Sequence, residues 1–251
     1  MVTKRKTSSS KVPSPKTKPL ARKEHHDFRS SFNWRVFRIM AEFVEGWQFL
    51  ADFDKTVSIF GSARLEEGSK WYEESRKLAK MLANKKFAVI TGGGPGIMES
   101  SNRGASEASR GHSVGINIKL PMEQHENPYV KRSQSFNYFF TRKVMLAYSA
   151  RAYVFFPGGF GTLDELFEMV TLIQTKKIED TIPVVLVGKE FWTPLLKWID
   201  EAMIKNHKTI SPEDVHIYRL VDTAEEAMKI VSQAPARHEF DEFVTIHESN
   251  I

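Results

Sequence analysis

Cysteine is absent from the 251 residues. That rules out disulfide staples and thiolate metal sites, and it suits a reducing, cytoplasmic compartment. Long apolar runs are missing too. No stretch approaches the roughly 20 residues that a membrane span needs. The N-terminus is basic, but no apolar stretch follows it, so no secretory leader is expected. His112, His125, His207 and His216 lack metal-ligand spacing, the pair His25-His26 sits near the N-terminus, and H-E-x-x-H does not occur. There is no G-x-S-x-G nucleophile elbow and no G-x-x-x-x-G-K-S/T phosphate cradle. Zinc hydrolase, serine hydrolase and P-loop readings therefore have no support, and no metal or cofactor is called for. No internal repeat is present.

Acidic residues are scarce at one end only. The chain carries a formal charge of +5. Its first 27 residues hold eight basic side chains against Glu24 and Asp27, which leaves 28 basic and 29 acidic residues for the remainder. The basicity belongs to a tail and not to the folded body. Residues 1–30 are rich in Lys, Ser, Pro and Thr and short of large apolar residues, so a disordered segment is expected. It reads as a solvated tail or as an electrostatic arm for RNA, DNA or anionic lipid. No membrane partner is expected, and nucleic acid only through this tail.

What is present begins at residue 31. Trp34, Phe37, Met40, Ala41, Phe43, Val44, Trp47, Phe49 and Leu50 recur at helical spacing. They predict an amphipathic helical extension over 31–54, packed on the main domain or on another subunit. From 55 to 234 short apolar runs alternate with helical patterns. Strands are predicted at Thr56–Phe60, Phe87–Ile90, Ser113–Ile118, Ser133–Phe136, Ala152–Phe156, Ile182–Val187 and Ile217–Val221. Helices are predicted between them, including one regular helix over Phe191–Lys205 and one running from the central loop to Lys177. Residues 235–251 read as a polar tail. The alternation predicts an α/β domain, a Rossmann-like doubly wound, mainly parallel sheet with helices on both faces.

Right-handed crossovers put the C-terminal ends of such strands on one edge, where ligands bind. Three loops carry small residues there: Gly61-Ser62, Thr91–Gly96 and Pro157–Thr162. The second is a poor dinucleotide fingerprint. It follows the second strand, and no acid ends a strand about 20 residues further on. The third is the richest. Gly158-Gly159-Phe160-Gly161-Thr162 sits where a strand turns into a helix, so unpaired N–H groups and the helix dipole favour an anion. Glycine there lets a phosphate approach the backbone. Glu165 follows about one turn later, and Arg142-Lys143 opens the preceding helix. Arg is the natural bidentate partner for phosphate or for developing negative charge.

Pro157-Gly158-Gly159-Phe160-Gly161-Thr162-Leu163-Asp164-Glu165 resembles the PGGxGTxxE signature of the LOG (Lonely Guy) family. Thr141-Arg142-Lys143 resembles its Arg-Lys signature, and Thr91-Gly92-Gly93-Gly94-Pro95-Gly96-Ile97-Met98-Glu99 its GGGxxGxM segment. The resemblance spans about residues 55–232. It implies hydrolysis of the N-glycosidic bond of nucleoside 5'-monophosphates, either cytokinin riboside monophosphates or AMP-like nucleotides. The products are free base and ribose 5-phosphate. It implies Arg142 and Glu165 as catalytic residues. Gly158, Gly159, Phe160, Gly161, Thr162 and Leu163 are implied at the 5'-phosphate loop. Lys143, Asp164, Thr171, Gly92, Gly93 and Glu123 are implied as further substrate contacts. It also implies a homodimer or higher homo-oligomer. The chain departs from the short plant-type pattern in its N-terminal extension, in Glu99 where short forms carry Gly, and in Leu120-Pro121-Met122-Glu123-Gln124, which is similar to longer bacterial members. The other class of function open to the same fold is a non-catalytic nucleotide sensor or cofactor carrier.

Overall fold

The computed structural model describes residues 32–119, 126–148 and 150–235. The expected disordered tail, the C-terminal tail beyond residue 235 and the candidate Glu123 lie outside the described residues.

Strand formation follows from short apolar runs whose two sides are both buried. β1 (Thr56–Phe60), β2 (Ala88–Thr91), β5 (Tyr153–Phe155) and β6 (Val184–Val187) are buried at every position. β3 (His112–Ile118), β4 (Arg132–Phe136) and β7 (Tyr218–Val221) complete one seven-stranded sheet in the order β4-β3-β2-β1-β5-β6-β7. Every pairing is parallel. Such a sheet needs helices on both faces, because each strand alternates its side chains between two cores.

Those two cores are seen directly. Val57, Ile59, Val89, Val154, Val185 and Val187 point to one side, where α2 (Lys70–Asn84), α3 (Ile97–Ser106) and α7 (Ala224–Val231) cover them. Phe60, Ile90, Val114, Tyr153, Phe155 and Leu186 point to the other. That side is covered by α1 (Phe32–Leu50), α4 (Phe139–Tyr148), α5 (Phe160–Gln174) and α6 (Lys189–Trp198). α1 is a single helix that packs on α4 and β4. Leu50 and Phe53 reach the second core, so the extension and the sheet share one interior.

Two helices differ from the sequence expectation. The predicted helix 191–205 contains Pro194 and continues from Ile199 to Asn206 as a π-helix. Its end is tied by the His207 amide donating to the Ala202 carbonyl, five residues back. Side-chain periodicity does not distinguish that wider turn from an α-helix. α5 stops at Gln174 and not at Lys177, because Lys176 adopts φ +57°. The Lys177 amide then donates back to the Leu172 carbonyl, the hydrogen bond of a Schellman close. A lysine gives no glycine signal for that stop.

The chain order reverses between β1 and β5, which leaves a crevice at their C-terminal ends. Among the described residues no helix is long and apolar enough to cross a membrane.

Candidate active site

The three small-residue loops meet at that crevice. The Ser62 amide donates to the Pro157 carbonyl at 3.0 Å, and the Ile97 amide donates to the Ser62 carbonyl at 2.9 Å. The β1 loop is thus tied to both neighbours. On the β2 loop, Gly93 has φ +73° and lies against the Asn117 side chain, a place with no room for a Cβ.

Two buried asparagines hold the β2 loop. Asn127 donates through Nδ2 to the carbonyls of Gly93 and Gly94 and to Asn102 Oδ1, each at 3.0–3.1 Å. Asn102 Oδ1 also accepts from the Thr91 hydroxyl at 2.7 Å. Thr91 Oγ1 in turn accepts from the Gly93 amide. Satisfied buried networks of this kind fix one geometry.

The β5 loop is open at its tip and closed at its root. A Cβ on Gly158 would collide with the Thr162 side chain. A Cβ on Gly159 or Gly161 would meet nothing within 4 Å. Gly159 is the N-cap of α5; its carbonyl accepts from the Thr162 and Leu163 amides, each at 3.0 Å, which leaves the amides of Phe160 and Gly161 at the open end of the helix. Thr162 is buried and Leu163 half-buried against the core, while Phe160 is 93% exposed at the mouth.

Arg142 and Glu165 come together across α4 and α5, with Arg142 Nη2 3.8 Å from Glu165 Oε1. Arg142 also lies beside Gly92, whose Cβ would be 3.5 Å from Nη1. Its guanidinium sits 5.7 Å from the centre of the Phe139 ring. Glu165 is 5% exposed. Burial pushes its carboxyl up to about 7, against the partial pull of Lys143 and Arg142. Burial also lowers the Arg142 pKa from its ordinary value, against the opposing pull of Glu165 and Asp164. Glu165 Oε2 and Arg142 Nε are buried with no hydrogen-bond partner. Orphaned polar atoms on the two facing residues are where a ligand's polar groups would pair.

Lys143 is placed differently from Arg142. It bridges α4 to α5 through Asp164 and Glu168, both at 2.9 Å. Burial works against its charge, but the hydrogen bonds to Asp164 and Glu168 win and raise its pKa. Thr171 is exposed and lies two turns beyond Asp164 on the same stripe, about 10 Å along the helix. Arg142, Glu165, Gly92, Gly93 and the Gly158–Thr162 loop are therefore gathered at one crevice. Lys143 and Asp164 flank it, and Thr171 lies outside it.

Three residues of this apparatus are not among the candidates read from the sequence. Asn102 and Asn127 pin the β2 loop. The third is Glu42 on α1, 6% exposed. Glu42 accepts from the Asn137 amide at 2.8 Å, from Asn137 Nδ2 at 2.7 Å, from the Tyr138 amide at 3.4 Å and from the Thr141 hydroxyl at 2.7 Å. It caps the helix that carries Arg142. Its signal was an acid at the inward position of an amphipathic run.

Comparison with known proteins places the chain among relatives. The family described as "Possible lysine decarboxylase" matches residues 98–231. A probable cytokinin riboside 5'-monophosphate phosphoribohydrolase of Arabidopsis thaliana is 30% identical over 175 residues, covering 68% of this chain and 85% of that protein. A second Arabidopsis thaliana cytokinin riboside 5'-monophosphate phosphoribohydrolase is 28% identical over 188 residues, covering 74% and 86%. Among solved structures, the molybdenum cofactor carrier protein of Chlamydomonas reinhardtii superposes with a TM-score of 0.54 at 21% identity, covering 73% of this chain and 99% of that one. The last likeness is one of fold.

Proposed function

This chain belongs to the LOG family, and from that premise we propose that it hydrolyses the N-glycosidic bond of nucleoside 5'-monophosphates, releasing the base and ribose 5-phosphate. The observation that carries the reading is the buried Glu165, facing Arg142 at 3.8 Å beside an open helix N-terminus. The 5'-phosphate docks on the first turn of α5, where Gly159 and Gly161 leave the backbone bare. The ribose then lies over Glu165. Cleavage of the bond from C1' to the base nitrogen leaves positive charge on the ring, as in an oxocarbenium ion. The ionised Glu165 stabilises that charge and takes a proton from the water that attacks C1'. The bonding pair leaves with the base, which is protonated as it departs. Arg142 meets negative charge, either on the departing base or on the phosphate.

The family's decarboxylase description does not suit these residues. A pyridoxal-phosphate enzyme needs a lysine that can lose its proton to form a Schiff base. Lys143 is held protonated between Asp164 and Glu168.

The test is ribose 5-phosphate release from a panel of ordinary and cytokinin riboside monophosphates, with Glu165→Gln alongside. Release by the wild type, lost in the variant, supports hydrolysis, and the ranking of the panel names the base. Nucleotide binding without release from any substrate would replace hydrolysis with a sensor or carrier role.

A further inference from the structure

The β1 loop, Gly61–Arg64, takes no part in the chemistry proposed above, yet it is fastened into the crevice on both sides. A Cβ on Gly61 would strike the Ile97 side chain, and one on Gly96 would strike the Ser62 carbonyl and the Ala63 backbone, so the loop is wedged against the start of α3. On its other side the Ser62 amide donates to the Pro157 carbonyl, two residues before the N-cap of α5. The Arg64 amide then donates to the Ser62 hydroxyl at 3.1 Å, which turns the chain back on itself. Two residues span at most about 7 Å of chain. Arg64 is therefore kept beside the open end of α5.

Arg64 is the sole charged residue of the three crevice loops, Gly61–Arg64, Thr91–Gly96 and Pro157–Thr162. It is exposed, and its guanidinium has no ion pair or hydrogen bond among the described residues. The two cations of α4 are committed elsewhere. Lys143 is held between Asp164 and Glu168, and Arg142 faces Glu165. A phosphomonoester carries a charge of about −2 at neutral pH. A helix N-terminus offers roughly +0.5 against it. The balance calls for a further cation, and the planar fork of an arginine pairs with two phosphate oxygens at once.

We propose that Arg64 clamps the substrate's 5'-phosphate onto the first turn of α5, and that Arg142 is thereby left to meet negative charge on the departing base. Arg64 is a binding residue in this role: it holds the phosphate and takes no part in bond cleavage. The role rests on the reading that a nucleoside 5'-monophosphate occupies the crevice.

Two measurements on the full chain test the clamp. The first is calorimetric binding of ribose 5-phosphate, which needs no turnover. Arg64→Ala should weaken it about 10- to 100-fold, the scale of a hydrogen bond to a charged group. Arg64→Lys should recover part of the loss, since lysine keeps the charge but not the fork. Lys189→Ala, which removes an exposed cation at the start of α6 behind β6, should change nothing. The melting temperature of Arg64→Ala should match the wild type, because the side chain pairs with no other residue. The second measurement is turnover of the best nucleoside monophosphate. Arg64→Ala should raise KM by the same factor while kcat holds, whereas Arg142→Ala should lower kcat. Ribose 5-phosphate that binds Arg64→Ala as tightly as the wild type overturns the clamp, whether or not the chain hydrolyses nucleotides. So does a wild type that fails to bind it, or a loss of binding confined to Arg142→Ala, which puts the phosphate on Arg142. Binding weakened in Arg64→Ala, in a chain that releases no base from any nucleotide, keeps the clamp and removes the hydrolysis.

Discussion

At the scale of single residues, burying Glu165 in the crevice costs stability wherever its carboxyl is ionised. Glu165 has its carboxyl raised to about 7 from an ordinary 4.5, chiefly by burial. A group raised in the folded state contributes stability that is fully present below its unfolded pKa and lost as pH rises through the folded one. The rise corresponds to roughly 3 kcal/mol. Glu165→Gln should therefore stabilise the fold at pH 8 by up to about 3 kcal/mol and leave it nearly unchanged at pH 4.5, which urea titrations at the two pH values will measure. The same variant should lose ribose 5-phosphate release. In the wild type, kcat/KM should climb with pH through about 7, because the working form of Glu165 is the ionised one. A rate independent of pH between 5 and 9 would remove Glu165 from that role. The glycines of the β5 loop separate folding from binding in another way. Gly161→Ala places a methyl group in open space. It should leave the melting temperature equal or slightly higher, since alanine suits a helix better than glycine. It should raise the KM for nucleotide on the order of tenfold, by standing where the phosphate approaches. Gly158→Ala should instead lower the melting temperature, because its methyl group would press on Thr162.

At the scale of elements, the helix that carries Arg142 is held at both ends. Glu42 caps its start. Near its end the Ser58 hydroxyl donates to the Leu146 carbonyl at 3.0 Å, and the Tyr153 hydroxyl donates to the Ala147 carbonyl. Burial alone would raise the Glu42 pKa, but the hydrogen bonds from Thr141, Asn137 and Tyr138 outweigh it and hold the carboxyl below its usual range. A depressed carboxylate contributes stability above its unfolded pKa and loses it as pH falls through the folded value. Glu42 and Glu165 thus respond to pH with opposite signs. Glu42→Gln should cost about 1–3 kcal/mol at pH 7, the scale for hydrogen bonds to a charged group. It should also lower kcat on the order of tenfold with KM little changed, as a displaced Arg142 predicts. An unchanged kcat would make the cap purely structural. This also marks how far the sequence could be read. Strands β1, β2 and β5 stand within a residue or so of the apolar runs that announced them, because a fully buried parallel strand shows itself as a continuous apolar segment. The Gly-rich loops were legible from strand-to-helix junctions, whereas Arg142 and Glu165 were joined as one site only by the family resemblance. Glu42, Asn102 and Asn127 were not legible, since what they hold is 11 to 99 residues away in sequence. The end of α5 was blurred because Lys176, not glycine, takes the left-handed turn.

At the scale of the whole molecule, composition suggests a tail, a helical leader and an α/β domain, yet the leader is woven into the domain. Leu50 is 2% exposed and Phe53 8%, both in the core that holds Ile90, Val114, Phe136 and Met145. A Cβ on Gly46 would strike Met145, so α1 and α4 approach closely enough to exclude any larger residue there. Removing α1 would strip that side of the sheet and leave the α4 amides without their carboxylate, losses that fall on buried apolar area and on unpaired polar groups together. The basic tail is a different matter, since its charge is confined to residues that precede α1. Two truncations separate the cases. A chain lacking residues 1–31 should release ribose 5-phosphate at the full-length rate. Any affinity of the full chain for RNA or DNA should fall steeply with salt and vanish in this truncation, because seven net positive charges leave with those residues. A chain beginning at residue 55 should be insoluble or lack a cooperative thermal transition, and it should release nothing. If that shorter chain melted cooperatively and turned over at the full-length rate, α1 would be an accessory laid on a finished domain, and the cap on α4 would be dispensable to the reaction.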